Sequence, residues 1–408
     1  LPLAVYAAGT KEAAPAAGPA EIKIWFGRKD FIPDDAFATF HKENPNIKVT
    51  ADVIPLEQAL TEFIPAYQAR RAPDVLQLNH FNMVPIIRQN MLRNFGPVLD
   101  RWKADDAADF AKIAPIAFSL ATWEKVTYGM SMWAGPAFLV FRKDVFEKMG
   151  IPVPKTWEDV LAAARTVRSK DPNMLGMSIH GSRAHSVWTW FGSMYAAMGG
   201  QFVEGVMQLD SEEGITLLEF HQALTRDKLC DPDVLALKSG DFRAAFIDGR
   251  AAQMYEAANI YPSIQKNLKY GEQWVAIVPP VNQKSKNKQV IAGYGWPFYV
   301  SARSENDEVL YKVFKYMSQY SDQVSIRYQP PTRISIFQDP KFLAAQPWWK
   351  EISGVYATME PFPVHPRMPE MNEIVLDAMQ WAFANPNGNA RQEVKKFQAE
   401  LNKIHAKK

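Results

Sequence analysis

Cysteine is nearly absent from this sequence. Cys230 is the single cysteine among 408 residues, so an internal disulfide framework, a cysteine-based zinc site and an iron–sulfur cluster are excluded. A strong excess of charge is also missing, because 46 Lys and Arg residues are balanced by 44 Asp and Glu residues and the formal net charge is +2. This balance does not favour nucleic acid or an acidic membrane surface as a partner. Past the N-terminal segment no run of about 18 apolar residues occurs, so no membrane-spanning helix is predicted there.

Known catalytic motifs are missing as well. The seven histidines show neither H-x-x-H nor H-E-x-x-H spacing. There is no G-x-S-x-G elbow, no P-loop and no G-x-G-x-x-G loop, since Gly293-Tyr294-Gly295 lacks the third glycine and the helix that should follow. Cys230 stands before Asp231-Pro232 on a predicted loop, and sequence spacing cannot show the nearby histidine that a nucleophilic cysteine needs. We therefore expect a protein that is not an enzyme and that uses no cofactor or metal.

The sequence is rich in apolar and aromatic residues. Hydrophobic residues make up 47% of the chain and aromatic residues 12%, with 12 tryptophans. A chain of this length is too long for one ordinary hydrophobic core, so two or three domains are predicted. Because an indole ring is flat and apolar with one N–H, some of the tryptophans are suited to gripping flat or amphipathic ligands, while most should belong to the cores.

The N-terminal segment has features of an export signal. Residues 1–9 read as the tail of an apolar segment, and Val5 and Ala7 are small enough for signal-peptidase cleavage after Ala7. Residues 10–20 are rich in Ala, Pro and Gly, so a mobile leader is predicted. The expected location is the periplasm or the outer face of the cytoplasmic membrane.

Strand and helix patterns alternate along most of the chain. Helices are predicted over 34–42 and over 56–69, the second interrupted or restarted near Pro65. Thr156 is predicted to cap a helix over 157–169. This alternation predicts an α/β fold with mostly parallel sheets, whose ligands lie beyond the carboxyl ends of the strands. The predicted strands include 21–26, 47–54, 74–78, 128–133, 137–141, 175–179, 251–255 and 274–278.

The order and spacing of several segments resemble a known family. Residues 40–49, Ala72-Pro73-Asp74-Val75, residues 154–159, Phe246-Ile247-Asp248-Gly249-Arg250-Ala251-Ala252 and residues 293–301 carry the match. In these segments the chain is similar to the extracellular solute-binding proteins of bacterial ABC importers, in the sugar-binding group related to the maltose-binding protein. The resemblance runs from about residue 21 to the C-terminus.

The resemblance implies a two-lobed periplasmic-binding-protein (Venus-flytrap) fold with a hinge and an interlobe cleft. The chain would cross between lobes near Met132, Gly293 and Pro331. Residues 1–20 would be a signal remnant and leader, residues 21–130 plus 293–330 the N-terminal lobe, and residues 131–292 plus 331–408 the C-terminal lobe. Ligand binding in the cleft would favour the closed state by its difference in affinity between the two states.

Two polar groups are expected at one rim of the first sheet. Arg28, Lys29 and Asp30 follow the first strand and could clasp hydroxyls or an anionic group, or else form a solvated turn. The segment 79–82 follows the third strand, and its asparagine side chains both donate and accept hydrogen bonds, which suits sugar hydroxyls. A helix N-cap is the alternative role for this second group.

Two further groups are expected to face the cleft. Trp133, Trp188 and Trp190 could stack on a pyranose ring, although Trp188 and Trp190 point apart on a helix, so one of them should be core. After the strand at 251–255, Glu256 and Asn259 should lie opposite Gly293-Tyr294-Gly295-Trp296, where family relatives often have Trp in place of Asn259. Arg333 could contact the ligand or pair with a carboxylate. The predicted ligand-binding residues are Arg28, Lys29, Asp30, Asn79, His80, Asn82, Trp133, Trp188, Trp190, Glu256, Asn259, Tyr294, Trp296 and Arg333.

The function implied is that of a receptor that delivers a small carbohydrate to an ABC permease, acting as a monomer. Convergence of Arg28, Lys29 and Arg333 would instead favour glycerol 3-phosphate or another polyol phosphate. A secreted carbohydrate-active enzyme is the alternative of another class, because a glycosidase needs two carboxylates at a fixed separation, which sequence spacing does not reveal.

Overall fold

The structure, a computed structural model, describes residues 20–32, 35–183, 188–325 and 330–407. The predicted signal remnant and leader therefore lie outside the described residues, except for Ala20. The side chains of Asp30 and Trp188 also lie outside the described part of the chain. In the parts described, no helix is both long and apolar enough to cross a membrane.

Strands and helices alternate through the first three-quarters of the chain, and helices dominate the rest. The strands are β1 (Ala20–Phe26), β2 (Ile47–Val53), β3 (Val75–Gln77), β4 (Thr122–Trp123), β5 (Val126–Thr127), β6 (Gly129–Met130), β7 (Ala137–Phe141), β8 (Phe202–Val203), β9 (Val206–Met207), β10 (Gln253–Ala257), β11 (Val275–Ile277), β12 (Ala292–Gly293), β13 (Phe298–Val300) and β14 (Glu360–Pro361). The α-helices are α1 (Ala38–Glu43), α2 (Leu56–Gln68), α3 (Val84–Arg88), α4 (Gly96–Asp105), α5 (Ala107–Phe110), α6 (Ile116–Ser119), α7 (Lys143–Met149), α8 (Trp157–Lys170), α9 (Ser193–Ala197), α10 (Glu212–Arg226), α11 (Ser239–Ile247), α12 (Tyr261–Gln265), α13 (Asp307–Ser325), α14 (Pro340–Ala345), α15 (Trp349–Ile352), α16 (Met368–Ala384) and α17 (Ala390–His405).

The first lobe is built on a five-stranded sheet in the order β2-β1-β3-β13-β6. β1 runs parallel to β2 and β3, whereas β13 is antiparallel to both of its neighbours. Side chains of β1 alternate between two layers: Ile24 and Phe26 join the core under α4 and α13, and Trp25 packs edge-on against Phe63 of α2 at 6.4 Å between ring centroids. This period of two is the pattern expected of a strand buried on both faces.

The second lobe is built on a three-stranded sheet in the order β10-β7-β11. Both outer strands run antiparallel to β7. The predicted α/β class is confirmed, but the prediction of mostly parallel sheets is wrong for this lobe. The alternation of strands and helices does not determine the strand directions in this lobe, because β10 and β11 lie far along the chain from β7 and pair with it antiparallel.

Three sequence predictions of local structure need correction. α2 continues through Pro65, which lies in its last turns, where the lost hydrogen bond is offset by burial of Ala59 and Phe63. The predicted strand over 175–179 forms only two isolated bridges, since the amide of Met177 donates to Leu229 instead of to a strand. The predicted strand over 128–133 is reduced to β6, because the amide of Ser131 leaves the sheet and donates to Ala117.

The predicted cap of α8 is confirmed. The Thr156 hydroxyl accepts from the Asp159 amide at 3.1 Å, and the Asp159 carboxylate accepts from the Thr156 amide at 2.9 Å. This reciprocal capping box satisfies two amides that the helix cannot satisfy itself.

Crossing segments meet side by side between the lobes. Gly135 pairs with Tyr294, and Trp133 pairs with Pro331, through isolated antiparallel bridges. We call the region around these two bridges the interlobe seam. The predicted division of the chain into lobe ranges, with crossing points near Met132, Gly293 and Pro331, stays a prediction.

Candidate ligand-binding site

The first-lobe side of the interlobe seam is formed where two parallel strands end. β1 and β3 are paired neighbours, so the segments that follow them emerge at the same edge. The Gly27 amide donates to Gln77 Oε1 at 2.8 Å, and Gln77 Nε2 donates to the Trp296 carbonyl at 3.3 Å. One buried glutamine thereby holds the end of β1 beside the segment that contains Trp296.

The segment 79–82 is a short 3-10 turn at this edge. Asn79 caps the turn, since its Oδ1 accepts from the Phe81 amide at 3.1 Å. His80 is buried, with Nδ1 at 3.2 Å from the Gly295 carbonyl, and burial lowers the pKa of His80 to about 4. The capping alternative is therefore the role seen for Asn79, and His80 is neutral at pH 7. Asn82 is half-buried at the same edge.

An aromatic row crosses the interlobe seam. Phe31 lies 6.1 Å from Trp296, and Trp296 lies 6.2 Å from Tyr294, measured between ring centroids. Tyr294 and Trp296 are both half-buried. Trp133 packs on Phe31 at 4.6 Å but is 3% exposed. Of the predicted ring residues whose side chains the structure describes, Trp296 and Tyr294 have surface left for a ligand, whereas Trp133 is buried against Phe31 and Phe298.

The second-lobe side of the interlobe seam holds a buried carboxylate. Glu256 Oε1 accepts from Trp190 Nε1 at 3.1 Å and from the Ala257 amide at 2.7 Å, and Oε2 accepts from Arg243 Nε at 2.6 Å. Burial raises the pKa of Glu256, and the Arg243 charge acts in the opposite direction. Glu256 therefore accepts from three protein donors and holds Arg243 in place.

Trp190 belongs to the core behind this cluster. It is 3% exposed, and His180 stacks on its ring at 4.4 Å with an interplanar angle of 11°. Its ring face is covered, so the predicted stacking on a ligand is replaced by a hydrogen bond that positions Glu256. Asn259 is half-buried, and its Oδ1 lies 3.5 Å from the Tyr294 hydroxyl.

The predicted cationic residues differ in burial and in the groups they contact. Arg333 is buried and forms an ion pair with Asp109, and it also donates to Ser318. Arg28 and Lys29 are exposed, and the Arg28 guanidinium lies 5.3 Å from the centre of the Phe31 ring. Of the two roles considered for Arg333, pairing with a carboxylate is the one observed.

Sequence reasoning missed Arg243. This residue lies in α11, and only the packing of α11 against β10 brings it to Glu256. No motif or spacing links Arg243 to Glu256. The one weak signal is that Arg243 lies three residues before Phe246, where the family segment begins.

The family model described as bacterial extracellular solute-binding protein matches residues 27–324. The chain belongs to this family. Curated relatives include a candidate binding protein of Brucella abortus (strain 2308), 22% identical over 247 residues, and YcjN of Escherichia coli (strain K12), a candidate ABC transporter periplasmic-binding protein, 24% identical over 247 residues. These matches cover 59% and 56% of this chain, and the chain spans only 57% and 52% of the length of those proteins.

Solved structures of solute-binding proteins share the fold. The sugar-binding protein MalE of Xanthomonas citri gives a TM-score of 0.78 at 19% identity, covering 95% of this chain and 98% of that chain. A protein of Thermotoga lettingae bound with alpha-D-tagatose gives 0.74 at 20% identity, covering 94% and 99%. A protein of Agrobacterium radiobacter K84 in complex with ribitol gives 0.74 at 17% identity, covering 95% and 99%. The predicted two-lobed periplasmic-binding-protein fold is confirmed.

Proposed function

We propose that this solute-binding protein binds a small carbohydrate in the cleft between its lobes and delivers it to the permease of an ABC importer. It would act as an exported monomer whose closed form the permease recognises. One observation carries the proposal: the half-buried rings of Tyr294 and Trp296 lie at the interlobe seam between polar groups of both lobes. A sugar has apolar C–H faces and polar edges, so it needs this combination of ring faces and hydrogen-bonding groups.

The candidate ligand contacts divide between the lobes. On the first lobe we assign Arg28, Lys29, Asn82 and the faces of Trp296. On the second-lobe side of the interlobe seam we assign Asn259, together with Tyr294, which pairs with Gly135 there although the predicted ranges put it in the first lobe. The solved relatives named with tagatose and ribitol have neutral polyhydroxy ligands, which supports the same ligand class here.

A polyol phosphate is less well supported. It depended on three cations, and Arg333 is used by Asp109. A secreted carbohydrate-active enzyme is also less well supported, because Glu256 has no exposed surface and accepts hydrogen bonds from three protein donors. A carboxyl group in that position cannot reach a glycosidic oxygen.

A thermal-shift screen over neutral sugars, polyols and their phosphates tests the function. Binding to the native state must raise the melting temperature, and we expect the rise for neutral sugars. A rise for sugar phosphates alone would replace the carbohydrate assignment by the polyol phosphate alternative. Absence of any shift, together with turnover of a glycan, would contradict the transport function.

The aromatic row provides a residue-level test. Trp296→Ala should weaken binding of the sugar by on the order of 1–3 kcal/mol if its ring stacks on the ligand, measured by tryptophan-fluorescence titration. Trp381→Ala is the matched control, because Trp381 is also half-buried but lies on α16, away from the interlobe seam. Equal affinities of the two variants would exclude Trp296 from the site. Trp133→Ala should mainly lower stability, since that ring is buried.

A further inference from the structure

Arg243 has an unusual position among the charged residues of the second lobe. Its side chain is 29% exposed, while the carboxylate it contacts is completely buried. Among the described residues Glu256 is its one hydrogen-bond partner, and that bond uses Nε. A guanidinium carries five N–H donors in a planar fork. Within the described residues the two terminal nitrogens of Arg243, which carry four donors, make no hydrogen bond, and the guanidinium lies 5.6 Å from the centre of the Phe242 ring.

The direction of Arg243 is fixed from behind. Glu256 is held by the indole N–H of Trp190 and by the backbone amide of Ala257, so the carboxylate cannot turn. Trp190 is itself held by the His180 ring that stacks on it. A donor group supported by such a chain of buried contacts is preorganised for binding, because little freedom remains to be lost when a ligand arrives.

This guanidinium lies beside the aromatic row. Ala257, the residue after Glu256, ends β10, and the following Ala258 amide donates to the Pro136 carbonyl. The neighbouring Gly135 pairs with Tyr294 at the interlobe seam. The Arg243 charge is close enough to Tyr294 to lower the pKa of that hydroxyl, against the larger effect of burial and the effect of Glu256, which raise it. The Asn259–Tyr294 hydrogen bond and the Gly135–Tyr294 bridge place Arg243, through Glu256, in the neighbourhood of Tyr294.

A second polar atom near this cluster is unsatisfied. His180 is buried, and its Nδ1 has no hydrogen-bond partner within the described segments. Burial first, and then the charge of Arg243, lower the pKa of His180 to about 4, so the ring is neutral at pH 7. This nitrogen is one of ten such buried polar atoms among the described residues, so it marks no site by itself.

We propose that Arg243 is a specificity-determining residue that donates a two-pronged hydrogen bond to adjacent hydroxyl groups of a neutral polyhydroxy ligand. The proposal rests on the carbohydrate-binding function given above and names the second-lobe group that orients the sugar. Neutral ligands are favoured because the Arg243–Glu256 pair has no net charge. A pair of opposite charges in contact offers directed donors but little attraction for a free anion.

The test begins with Arg243→Lys, which keeps a cation for Glu256 but loses the planar fork. For the neutral sugar with the largest thermal shift, the dissociation constant should rise about 10- to 100-fold, as expected for losing hydrogen bonds to a charged group. The double variant Arg243→Gln/Glu256→Gln should show a similar loss without leaving a buried charge unpaired. Arg226→Lys is the control, since Arg226 pairs with Asp227 on an exposed surface of α10.

Deoxy analogues of the same sugar separate contact from mere support. Removing a hydroxyl that Arg243 contacts should weaken binding to the wild type but not further weaken binding to Arg243→Lys, and two adjacent positions should behave this way. The same titrations with the corresponding uronate should give weaker binding than with the neutral sugar.

Several results would overturn the inference. Wild-type affinity of Arg243→Lys would exclude the contact, and an equal loss for every deoxy analogue would reduce Arg243 to a supporting role. Tighter binding of the uronate would contradict the neutral ligand class. Failure of the wild type to bind any neutral sugar would overturn the proposed function as well, whereas the other results leave that function intact.

Discussion

Arg333 and Arg243 each meet a buried carboxylate, but they differ in how much of the guanidinium the protein itself uses. The Arg333 side chain is 6% exposed, and it bonds Asp109 and Ser318. Arg243 is 29% exposed and bonds Glu256 through Nε. The first pair ties the segment after Pro331 to α5, whereas the second leaves the two terminal nitrogens of Arg243 without a hydrogen bond among the described residues.

The carboxylates of the two pairs differ in the same sense. Asp109 also accepts from Trp102 Nε1 and from Gln319, so that several elements of the first lobe converge on it. Glu256 accepts from residues of the second lobe. An arginine–carboxylate pair therefore has two roles in this protein. The Arg333–Asp109 pair fastens a segment to the first lobe, and the Glu256–Arg243 pair positions an arginine side chain. The exposure of the arginine distinguishes the two roles.

Breaking the fully buried pair should have the largest effect. Arg333→Met leaves the Asp109 carboxylate buried without its cation, so the free energy of unfolding should fall by about 3–5 kcal/mol, measured by urea denaturation. Ligand affinity of the folded fraction should be unchanged. The double variant Asp109→Leu/Arg333→Met should recover much of the loss, because no charge is then left unpaired. A small effect of the single variant would mean that the pair is not a fastening.

The two carboxylates should respond to pH in opposite directions. Burial acts to raise the pKa of Asp109, but Arg333 outweighs it and the pKa lies below the ordinary 3.8. Burial prevails at Glu256, whose pKa lies above the ordinary 4.5. A carboxyl group whose pKa is lowered by folding stabilises the fold at pH values above its pKa in the unfolded chain. This stabilisation is lost as the pH falls through its pKa in the folded protein. A carboxyl group whose pKa is raised by folding stabilises the fold at pH values below its pKa in the unfolded chain, and this stabilisation is lost as the pH rises.

Urea midpoints over a pH series check this contrast. Relative to wild type, the deficit of Asp109→Asn should shrink as pH falls below about 3.8, and Glu256→Gln should gain stability as pH rises above 4.5. Subtracting the wild-type curve removes the contribution of other titrating groups, including the buried histidines. If the stability difference from wild type changed with pH in the same direction for both variants, the two ion pairs would be electrostatically alike.

The smallest effect on stability is expected when an arginine–carboxylate pair on the protein surface is broken. Arg391 bonds both oxygens of Glu212, at 2.6 and 2.8 Å, and both side chains are more than half exposed. Glu212→Gln should leave the urea midpoint and the ligand affinity close to wild type, because water screens the pair and solvates the remaining arginine. A loss comparable to that of Arg333→Met would show that burial is not what separates these pairs.

Much of the framework could be predicted from local sequence. β1, β2 and β7 follow their apolar patterns, and the Thr156 cap uses residues three positions apart. Family resemblance predicted the two-lobed fold, and the parallel pairing of β1 with β3 put the predicted rim segments at one edge. These features depend on neighbours in the chain or on one pair of adjacent strands.

The candidate site was predicted less completely. Tyr294, Trp296 and Asn259 lie near one another at the interlobe seam, but the ligand contacts themselves stay predictions. Trp133 and Trp190 are covered by neighbouring rings, and Arg333 is used by Asp109. A tryptophan or arginine carries the same chemistry in a core as in a cleft, so residue type alone could not assign these positions.

The sequence by itself determined the α/β class, the lack of a cysteine framework and the helix caps, because these follow from composition and from residues close in the chain. Only the tertiary structure decided that Arg333 is buried in an ion pair that stabilises the fold and that Arg243 stays partly exposed. Arg333 and Asp109 are 224 positions apart, and Trp190 and Glu256 are 66 apart. Contacts at such separations depend on how whole layers pack, and burial by those layers gives each pair its charge environment and its exposed surface.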